Sequence, residues 1–211
     1  MNKEKIHEIF RAFRSHTPNP STELTYSSRF QLLIAVVLSA QTTDISVNKI
    51  TKKLFNIADN ACSILCLGQS NLEKIIKSIG LYRRKSFSII QICKIVLEKH
   101  DGDIPKNFEE LIKLPGVGRK TANVVLNTLF NKPLIGVDTH VFRTCNRTKI
   151  ATGKMPRDIE RILYDNVPKQ YLFHAHNWLV LHGRHVCRSR KPLCYKCRII
   201  HLCEYEKKNY S

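Results

Sequence analysis

The order of apolar and polar residues along the chain predicts a protein built from helices. Apolar residues recur three and four positions apart, as on one face of a helix. The apolar segment Phe30–Ala40 predicts a helix that is buried all round. Ile6, Ile9, Phe10 and Phe13 form the apolar face of a first helix, and Asp44 is the expected cap of a helix that runs through Val47, Ile50 and Leu54. The other predicted helices are Leu72–Ile79, Arg84–Glu98, Thr139–Thr148, Asp158–Asn166 and Gln170–His185. No segment alternates as a half-buried strand does, so the predicted fold class is all-α.

Two further helices are predicted on either side of a tight turn. Asn107 is the expected cap of a short helix over Phe108–Leu114, and Glu110 stands where a capping box has its second member. Pro115 ends this helix because the residue before a proline is disfavoured in the α conformation. The next helix starts near Arg119, where apolar residues return at helical intervals.

The turn itself is predicted to bind phosphate. Gly116 and Gly118 accept backbone angles that other residues resist, so successive amides are free to point outward. Free amides at the start of the following helix bind anions readily. Lys120 stands at the mouth of this turn.

Lys120 and Asp138 have the chemistry of a catalytic pair. A lysine is a nucleophile only as the neutral amine, which desolvation or nearby positive charge favours. The helix start and Arg119 supply positive charge. Asp138 is the expected cap of the helix that begins at Thr139, and capping amides favour the ionised carboxylate. The residues alone leave open whether Lys120 only contacts phosphate and whether Asp138 is only a cap.

The charge of the chain narrows the choice of partner. Its 211 residues include 35 Lys and Arg against 17 Asp and Glu, a formal charge of +18, which indicates a polyanionic partner. Nucleic acid is favoured over an acidic membrane because the charge is spread along the chain. The longest apolar run, Leu32–Leu38, is too short to cross a bilayer, and no signal peptide is expected at Met1. We therefore expect a cytoplasmic, nucleoid-associated protein.

Half of the eight cysteines are concentrated in one loop. They are Cys187, Cys194, Cys197 and Cys203. Four thiols so close together predict one metal site, and the spacing alone separates zinc from iron–sulfur poorly. His182 and His185 precede the loop and are interpreted as helix-surface residues. The other four cysteines, Cys62, Cys66, Cys93 and Cys145, are expected to be small buried hydrophobic residues.

The segment Arg184–Arg198 is strongly basic and has no acidic residue. Its cations are Arg184, Arg188, Arg190, Lys191, Lys196 and Arg198. A metal-held loop with these side chains would contact phosphates, although a solvated run of charge is the alternative.

The hairpin and the cysteine loop resemble the endonuclease III family of DNA glycosylases, and the resemblance covers nearly the whole chain. It implies a bifunctional DNA glycosylase and abasic-site lyase that removes oxidised or damaged pyrimidines from duplex DNA in base excision repair. It also implies two lobes, a six-helix barrel at residues 21–132 with the helix-hairpin-helix at 107–130, and a cluster lobe at residues 1–20 and 133–211. The DNA cleft is expected between the lobes, with Lys120 and Asp138 facing each other.

The resemblance also implies roles for single residues. Lys120 would form a Schiff base with the sugar and Asp138 would assist, while the loop 187–203 would hold a [4Fe–4S] cluster through its four cysteines. Gln41 would fill the space of a flipped base and Leu81 would act as a wedge. Without the family, Gln41 would be interpreted as a surface residue and Leu81 as part of the core. The other expected DNA contacts are Gly116, Gly118, Arg119, His140, Arg184 and Lys191.

Two other functions compete with this interpretation. An adenine-mispair glycosylase of the same superfamily uses water instead of lysine and resembles longer chains, so Lys120 and the end at Ser211 argue against it. A non-catalytic module would use the hairpin only to grip phosphate. We expect a monomer that binds damaged duplex DNA and no membrane.

Overall fold

The chain folds into eleven α-helices, which a computed structural model describes over all of residues 1–211. They are α1 Lys3–His16, α2 Arg29–Ser39, α3 Asp44–Ile57, α4 Ala61–Leu67, α5 Gln69–Ile76, α6 Tyr82–Lys99, α7 Phe108–Leu111, α8 Arg119–Phe130, α9 Thr139–Thr148, α10 Pro156–Asn166 and α11 Lys169–His185. A 3₁₀ turn, Cys194–Lys196, follows α11. No residue lies in a β-strand, so the all-α prediction is confirmed. None of the helices combines the length and apolarity that a membrane crossing requires.

The helices are distributed over two compact units. The central unit, Glu23–Phe130, contains α2 to α8. The terminal unit combines Met1–Thr22 with Asn131–Ser211 and contains α1 and α9 to α11. The hairpin therefore belongs to the central unit, and the cysteine loop belongs to the terminal unit.

The core of the central unit is organised around α2, which packs against α3, α6 and α8. Every residue from Phe30 to Leu38 is buried, as the apolar run predicts. Each fully buried aliphatic side chain contributes roughly 1.5–3 kcal/mol relative to exposure. Gln31 is the one polar residue in this run, and its Oε1 accepts the backbone N–H of Ser27 at 2.8 Å. Burial therefore leaves this amide oxygen with a partner.

An aromatic cluster forms part of the core of the terminal unit. Phe10 of α1 stacks on Tyr171 of α11 with ring centroids 5.9 Å apart. Phe13 meets Phe10 edge to face at 5.8 Å. Trp178 closes the cluster, and its indole Nε1 donates to the backbone oxygen of Thr17 at 2.8 Å. These contacts fix α11, the helix that leads into the cysteine loop.

Gly183 permits the close approach of α9 and α11. A Cβ added at Gly183 would lie 2.9 Å from the Cβ of His140 and 3.0 Å from its backbone oxygen. The same Cβ would lie 2.9 Å from the Oγ1 of Thr144. Backbone atoms cannot yield as a flexible side chain does, so any larger residue would push the start of α9 away. Asp138 caps this start of α9.

Several helix bounds differ from the sequence-based expectations. The helix predicted at Leu72–Ile79 is α5, Gln69–Ile76, which begins and ends three residues earlier, and α6 begins two residues earlier than predicted. Thr43 caps α3 through its side chain, and Asp44 is the first helical residue, so the predicted cap is one residue off. Pro156 begins α10 two residues earlier than predicted, at a position that proline favours. The seven-residue α4, capped by Asn60, was not predicted, because two helical turns contain too few positions to establish a period.

Candidate active site and cysteine loop

The hairpin of the central unit consists of α7, a turn and α8. Asn107 caps α7 as predicted, since its Oδ1 accepts the backbone N–H of Glu110 at 2.8 Å. The prediction that Glu110 completes a capping box is wrong, because its carboxylate accepts a hydrogen bond from the Nζ of Lys113 at 2.6 Å. The prediction that this helix reaches Leu114 is wrong, because α7 ends at Leu111. A tighter turn follows, in which the backbone N–H of Leu114 donates to the oxygen of Leu111 at 3.1 Å. Pro115 follows directly after this turn.

The two glycines of the hairpin turn have different structural roles. Gly116 has a φ of +79°, and a Cβ there would lie 3.1 Å from both Cβ and Oγ of Ser88. The expectation of unusual backbone angles is therefore confirmed for Gly116. It is wrong for Gly118, whose φ is not in the left-handed region and where nothing lies within 4 Å of an added Cβ. The exposed Gly118 leaves room for another molecule to approach the backbone.

Alanine at each glycine is expected to separate folding from binding. Gly116→Ala should lower the free energy of unfolding by about 1–3 kcal/mol, because a side chain at positive φ is strained and Ser88 must move. Gly118→Ala should lower the free energy of unfolding by about 1 kcal/mol or less. Its new methyl group should weaken binding to duplex with an abasic site by about tenfold, because it blocks the approach of a phosphate to this turn. Urea unfolding and fluorescence anisotropy measure the two effects. Unchanged affinity in Gly118→Ala would contradict a phosphate contact at this turn.

Lys120 lies in the first turn of α8, directly after this turn, and is half-buried. The neighbouring Arg119 is exposed, and its guanidinium carbon lies 5.2 Å from the ring centroid of Phe108. This cation–π contact ties the start of α8 to α7 and holds a positive charge close to Lys120. The start of a helix also carries positive partial charge.

Asp138 of the terminal unit is the cap of α9, as predicted. Its Oδ1 accepts the backbone N–H groups of His140 at 2.8 Å and of Val141 at 2.9 Å. Two amide hydrogen bonds to one oxygen fix the position of the carboxylate at the start of α9. The side chain is half-buried, so the carboxylate is held in one orientation without being removed from solvent.

His140 is held in a small polar network beside Asp138. Its Nδ1 lies 3.3 Å from Nη2 of Arg143, and the same Nη2 donates to the backbone oxygen of Gly183 at 2.7 Å. Burial lowers the pKa of His140, although the charge of Asp138 acts in the opposite direction. The ring is therefore favoured in its neutral form at neutral pH.

Gln41 and Leu81 both lie at strained turns of the central unit. Gln41 follows the end of α2 with a φ of 57°, and Leu81 precedes α6 with a φ of 59°. Left-handed angles are unusual for residues other than glycine and persist where the surrounding structure holds them. Both side chains are exposed, Leu81 to 58%. The alternative that Leu81 folds into the core is therefore wrong.

The four cysteines of the C-terminal loop line one cavity. Arg147, Thr148, His182, Val186, Pro192 and Tyr205 complete its lining, and no carboxylate is among them. The four thiols influence one another: burial raises the pKa of Cys197 to about 11, and the other three add to this effect. No three histidine, cysteine, aspartate or glutamate side chains are grouped as ligands of a single metal ion.

His182 belongs to this cavity, so its interpretation as a surface residue is wrong. Its Nε2 lies 3.8 Å from the Sγ of Cys197, and burial lowers its pKa to about 4. His185 is exposed, as expected. The sequence did not distinguish the two, because the last turn of α11 faces the loop on one side and solvent on the other.

Two arginines of α9 anchor the cysteine loop, and neither was predicted from the sequence. Arg143 donates through Nε to the backbone oxygen of Cys187 at 2.9 Å. Arg147 donates to the backbone oxygens of Arg188 at 2.6 Å and Ser189 at 2.9 Å, and its Nη1 lies 3.7 Å from the Sγ of Cys187. Their spacing of one helical turn is the only signal in the sequence, and many surface arginines share it.

Most of the predicted phosphate-contacting cations of the loop are exposed. Arg188, Arg190, Lys191, Lys196 and Arg198 are exposed, and Arg184 in the last turn of α11 is half-buried. Lys191 has a φ of 47°, so the backbone of the loop is sharply turned where this lysine projects.

The other four cysteines divide into two pairs. Cys93 and Cys145 are buried, as expected, and burial raises the pKa of Cys93 to about 12. Cys62 and Cys66 on α4 are exposed, so the expectation of burial is wrong for them. The error concerns the face of the helix, because the face of α4 that is buried contains Ala61 and Ile64.

The chain is similar to known DNA repair proteins along nearly its whole length. Residues 34–169 match the HhH-GPD superfamily of base excision DNA repair proteins. The chain is 52% identical over 208 residues to endonuclease III of Escherichia coli strain K12, covering 99% of each chain. It is 51% identical over 205 residues to endonuclease III of Rickettsia felis, covering 97% of this chain and 96% of the relative. A solved trapped endonuclease III–DNA covalent intermediate, an estranged-adenine complex, matches with a TM-score of 0.91 and 38% identity over 97% of this chain and 96% of that one.

Proposed function

The chain belongs to the endonuclease III family of the HhH-GPD superfamily, and we propose how its residues divide the reaction of that family. The protein is a DNA glycosylase with abasic-site lyase activity that acts on damaged pyrimidines in base excision repair. The observation that carries the assignment of roles is the position of Lys120, in the first turn of α8 and directly after the glycine turn.

Lys120 is the proposed nucleophile. Its neutral amine attacks C1′ of the damaged nucleotide, and the C1′–N bond to the base breaks with its electron pair leaving on the base. The nitrogen of the new C–N bond then loses a proton, and its lone pair breaks the C1′–O4′ bond. O4′ takes up a proton as the sugar ring opens, and a protonated Schiff base remains. The Schiff base acidifies the C2′ proton, and its removal expels the 3′ phosphate by β-elimination. The positive start of α8 and the nearby Arg119 disfavour a second positive charge, so they favour the reactive neutral amine.

Asp138 is the proposed electrostatic partner in this reaction. Positive charge develops at C1′ as the base departs, and an ionised carboxylate stabilises it. The carboxylate also accepts the proton that the attacking amine must lose. The two amide hydrogen bonds to its Oδ1 support this role because they hold the carboxylate in one orientation.

Gln41 and Leu81 are the proposed residues that open the duplex. A glycosylase must swing its target nucleotide out of the stack at a cost of a few kcal/mol. Leu81 offers an apolar wedge because more than half of its side chain is exposed. Gln41 offers an amide that hydrogen-bonds in the vacated position. Their left-handed backbones support the proposal, since such strain is common at functional sites.

The proposed contacts to the DNA backbone come from both units. The hairpin contributes the amides at Gly116 and Gly118 and the guanidinium of Arg119. His140, Arg184 and Lys191 contribute from the terminal unit. We propose that the protein acts as a monomer on duplex DNA with damaged bases or abasic sites, and in the cytoplasm.

Cys187, Cys194, Cys197 and Cys203 are the proposed ligands of a [4Fe–4S] cluster. The residues fit such a group, because four thiols line one cavity without a carboxylate and four thiolates are its usual ligand set. Arg147 beside the Sγ of Cys187 compensates negative charge there. When bound, the cluster supplies iron–thiolate bonds that hold the loop and its exposed cations.

Loss of one thiol is expected to release the metal. Cys194→Ser should lose most of its iron and the broad visible absorption at about 400 nm. Three thiolates hold the cluster less well than four, and the loop folds together with its metal. Absorption spectra and iron content per chain measure this loss. Cys62→Ser, an exposed cysteine of α4, is the matched control and should retain both. Stoichiometric zinc in wild-type protein purified without oxygen would contradict the assignment.

Borohydride trapping on duplexes with an oxidised pyrimidine tests the function and separates it from its two rivals. A Schiff base reduced by borohydride leaves protein covalently joined to DNA, so excision together with an adduct is the expected result. Excision without an adduct would favour a glycosylase that uses water instead of lysine, and release of adenine from a mispaired duplex without an adduct would identify the adenine-mispair type. Binding with neither product would favour a non-catalytic module.

A further inference from the structure

Lys85 of α6 is a buried lysine with an unusual set of partners. The residue is only 6% exposed. The Nζ donates to the backbone oxygen of Leu38 at 2.9 Å, to that of Ala40 at 2.7 Å and to the Oγ1 of Thr42 at 3.2 Å. The three N–H donors of an ammonium are thus matched by three acceptors.

Burying the ammonium of Lys85 costs free energy of folding, because none of its three partners is a carboxylate. Burial lowers the pKa of Lys85, as expected for an ammonium removed from water without a counter-charge. A buried charge is tolerated only where hydrogen bonds or charge partners compensate it, and here hydrogen bonds alone do so. The partners of Lys85 show what it holds: a carbonyl at the end of α2 and the turn that follows.

The bonds of Lys85 enclose Gln41. Ala40 and Thr42 are the residues immediately before and after it, and both bind the same ammonium. Gln41 itself has the left-handed φ of 57°, a conformation that costs a residue of this type roughly 1–2 kcal/mol. The ammonium therefore fixes both peptide neighbours of a strained residue whose side chain is exposed.

The backbone of Lys85 contacts the second exposed turn. Its N–H donates to the oxygen of Leu81 at 3.0 Å, at the start of α6. Leu81 also has a left-handed φ, at 59°. One residue thus binds the Leu81 turn through its backbone and the Gln41 turn through its side chain.

We propose that Lys85 is a positioning residue that holds the Gln41 turn and the Leu81 turn in one fixed relation, so that both side chains enter the duplex together. This inference rests on the proposed roles of Gln41 and Leu81. It assigns to Lys85 no contact with DNA. Its effect is confined to the step in which a paired base leaves the stack.

Lys85→Met tests the proposal, because methionine keeps much of the length and apolar packing but loses all three hydrogen bonds. Single-turnover excision of a damaged base from fully paired duplex should fall about 10- to 100-fold, as expected when a working group is displaced by about 1 Å. Cleavage at an abasic site in single-stranded DNA should change less than about threefold, because nothing is flipped there. Lys94→Met, an exposed lysine on the same helix, is the matched control and should resemble wild type in both assays. Equal losses on both substrates for Lys85→Met would overturn the proposal.

A double-mutant cycle distinguishes positioning from a general effect on stability. If Lys85 acts through Gln41, then adding Lys85→Met to Gln41→Ala should lower excision by less than about twofold. If the losses of excision rate from the two single variants multiply in the double variant, the proposal is overturned. If Gln41→Ala lowers excision and Lys85→Met does not, only the role of Lys85 fails. If Gln41→Ala has no effect, the role of Gln41 fails, and the proposal for Lys85 fails with it.

Thr42→Val provides a second route if Lys85→Met does not fold. It removes one acceptor of the ammonium and retains the shape of the side chain. Excision from paired duplex should fall in the same direction by a smaller factor, with single-stranded abasic cleavage unchanged. Wild-type excision in a folded Thr42→Val would overturn the proposal.

Discussion

Lys120→Ala is expected to abolish both base excision and covalent trapping while leaving DNA binding in place. The loss should be roughly 10⁴-fold or more, the scale found when a covalent nucleophile is removed. No other amine is expected to replace it, because attack requires a group at bonding distance in the correct direction. Affinity for duplex should change little, since the turn amides and Arg119 are retained. Single-turnover excision, borohydride trapping and anisotropy on one damaged duplex measure the three quantities.

Lys113→Ala is the matched control for this prediction. Lys113 follows α7 in the same hairpin and its ammonium binds Glu110 at 2.6 Å, in an exposed ion pair worth about 0–1 kcal/mol. Its removal should leave excision and trapping near wild type. Full excision by Lys120→Ala, with the variant folded, would refute the role of Lys120 and leave it as a phosphate contact.

Asp138→Asn should lower excision by about 10²- to 10³-fold without unfolding the protein. Asparagine is as good a helix cap as aspartate, so its amide oxygen can still accept the backbone N–H groups of His140 and Val141. What it lacks is the negative charge, and loss of one preorganised electrostatic contact to a transition state has an effect of this size. Single-turnover excision and thermal unfolding, measured on the same preparation, report the two properties separately.

Two further variants separate capping from catalysis. Asp138→Ala removes cap and charge together, so it should lose about 1 kcal/mol of stability in addition to the loss of rate. Asn60→Ala removes the cap of α4, and it should lose similar stability with excision unchanged. Wild-type rates in Asp138→Asn would reduce Asp138 to an ordinary cap.

Local chemistry explains why much of the site could be predicted. A cap is a contact between residues two or three positions apart, so Asn107 and Asp138 could be identified from their neighbours. Proline and glycine restrict or extend the backbone by themselves, which placed the turn after Leu114 and the positive φ of Gly116. The apolar run of α2 predicted a helix that is buried on every side, and Phe30–Leu38 are buried.

The errors occurred where distant residues decide the outcome. Thr43 and Asp44 are both good cap residues, and the cap is Thr43, whose side chain accepts the backbone N–H of Ser46. His182 and His185 lie on the same helical turn, but only His182 meets a cysteine of the loop. Cys62 and Cys66 were expected to be buried because a free cysteine usually is, but the buried face of α4 contains Ala61 and Ile64 instead.

The amino-acid sequence alone determined the helical class, the order of the main helices, the hairpin turn and the clustering of four thiols in one loop. These features depend on periodicity, on the restricted angles of proline and glycine, and on short spacings, all of which are local. Only the tertiary structure decided that Lys85 binds both neighbours of Gln41, that Arg143 and Arg147 anchor the cysteine loop, and that Gly183 must lack a side chain. Each of these depends on atoms about 40 or more positions apart in the chain. Their meeting is set by how helices pack, and no local pattern encodes it.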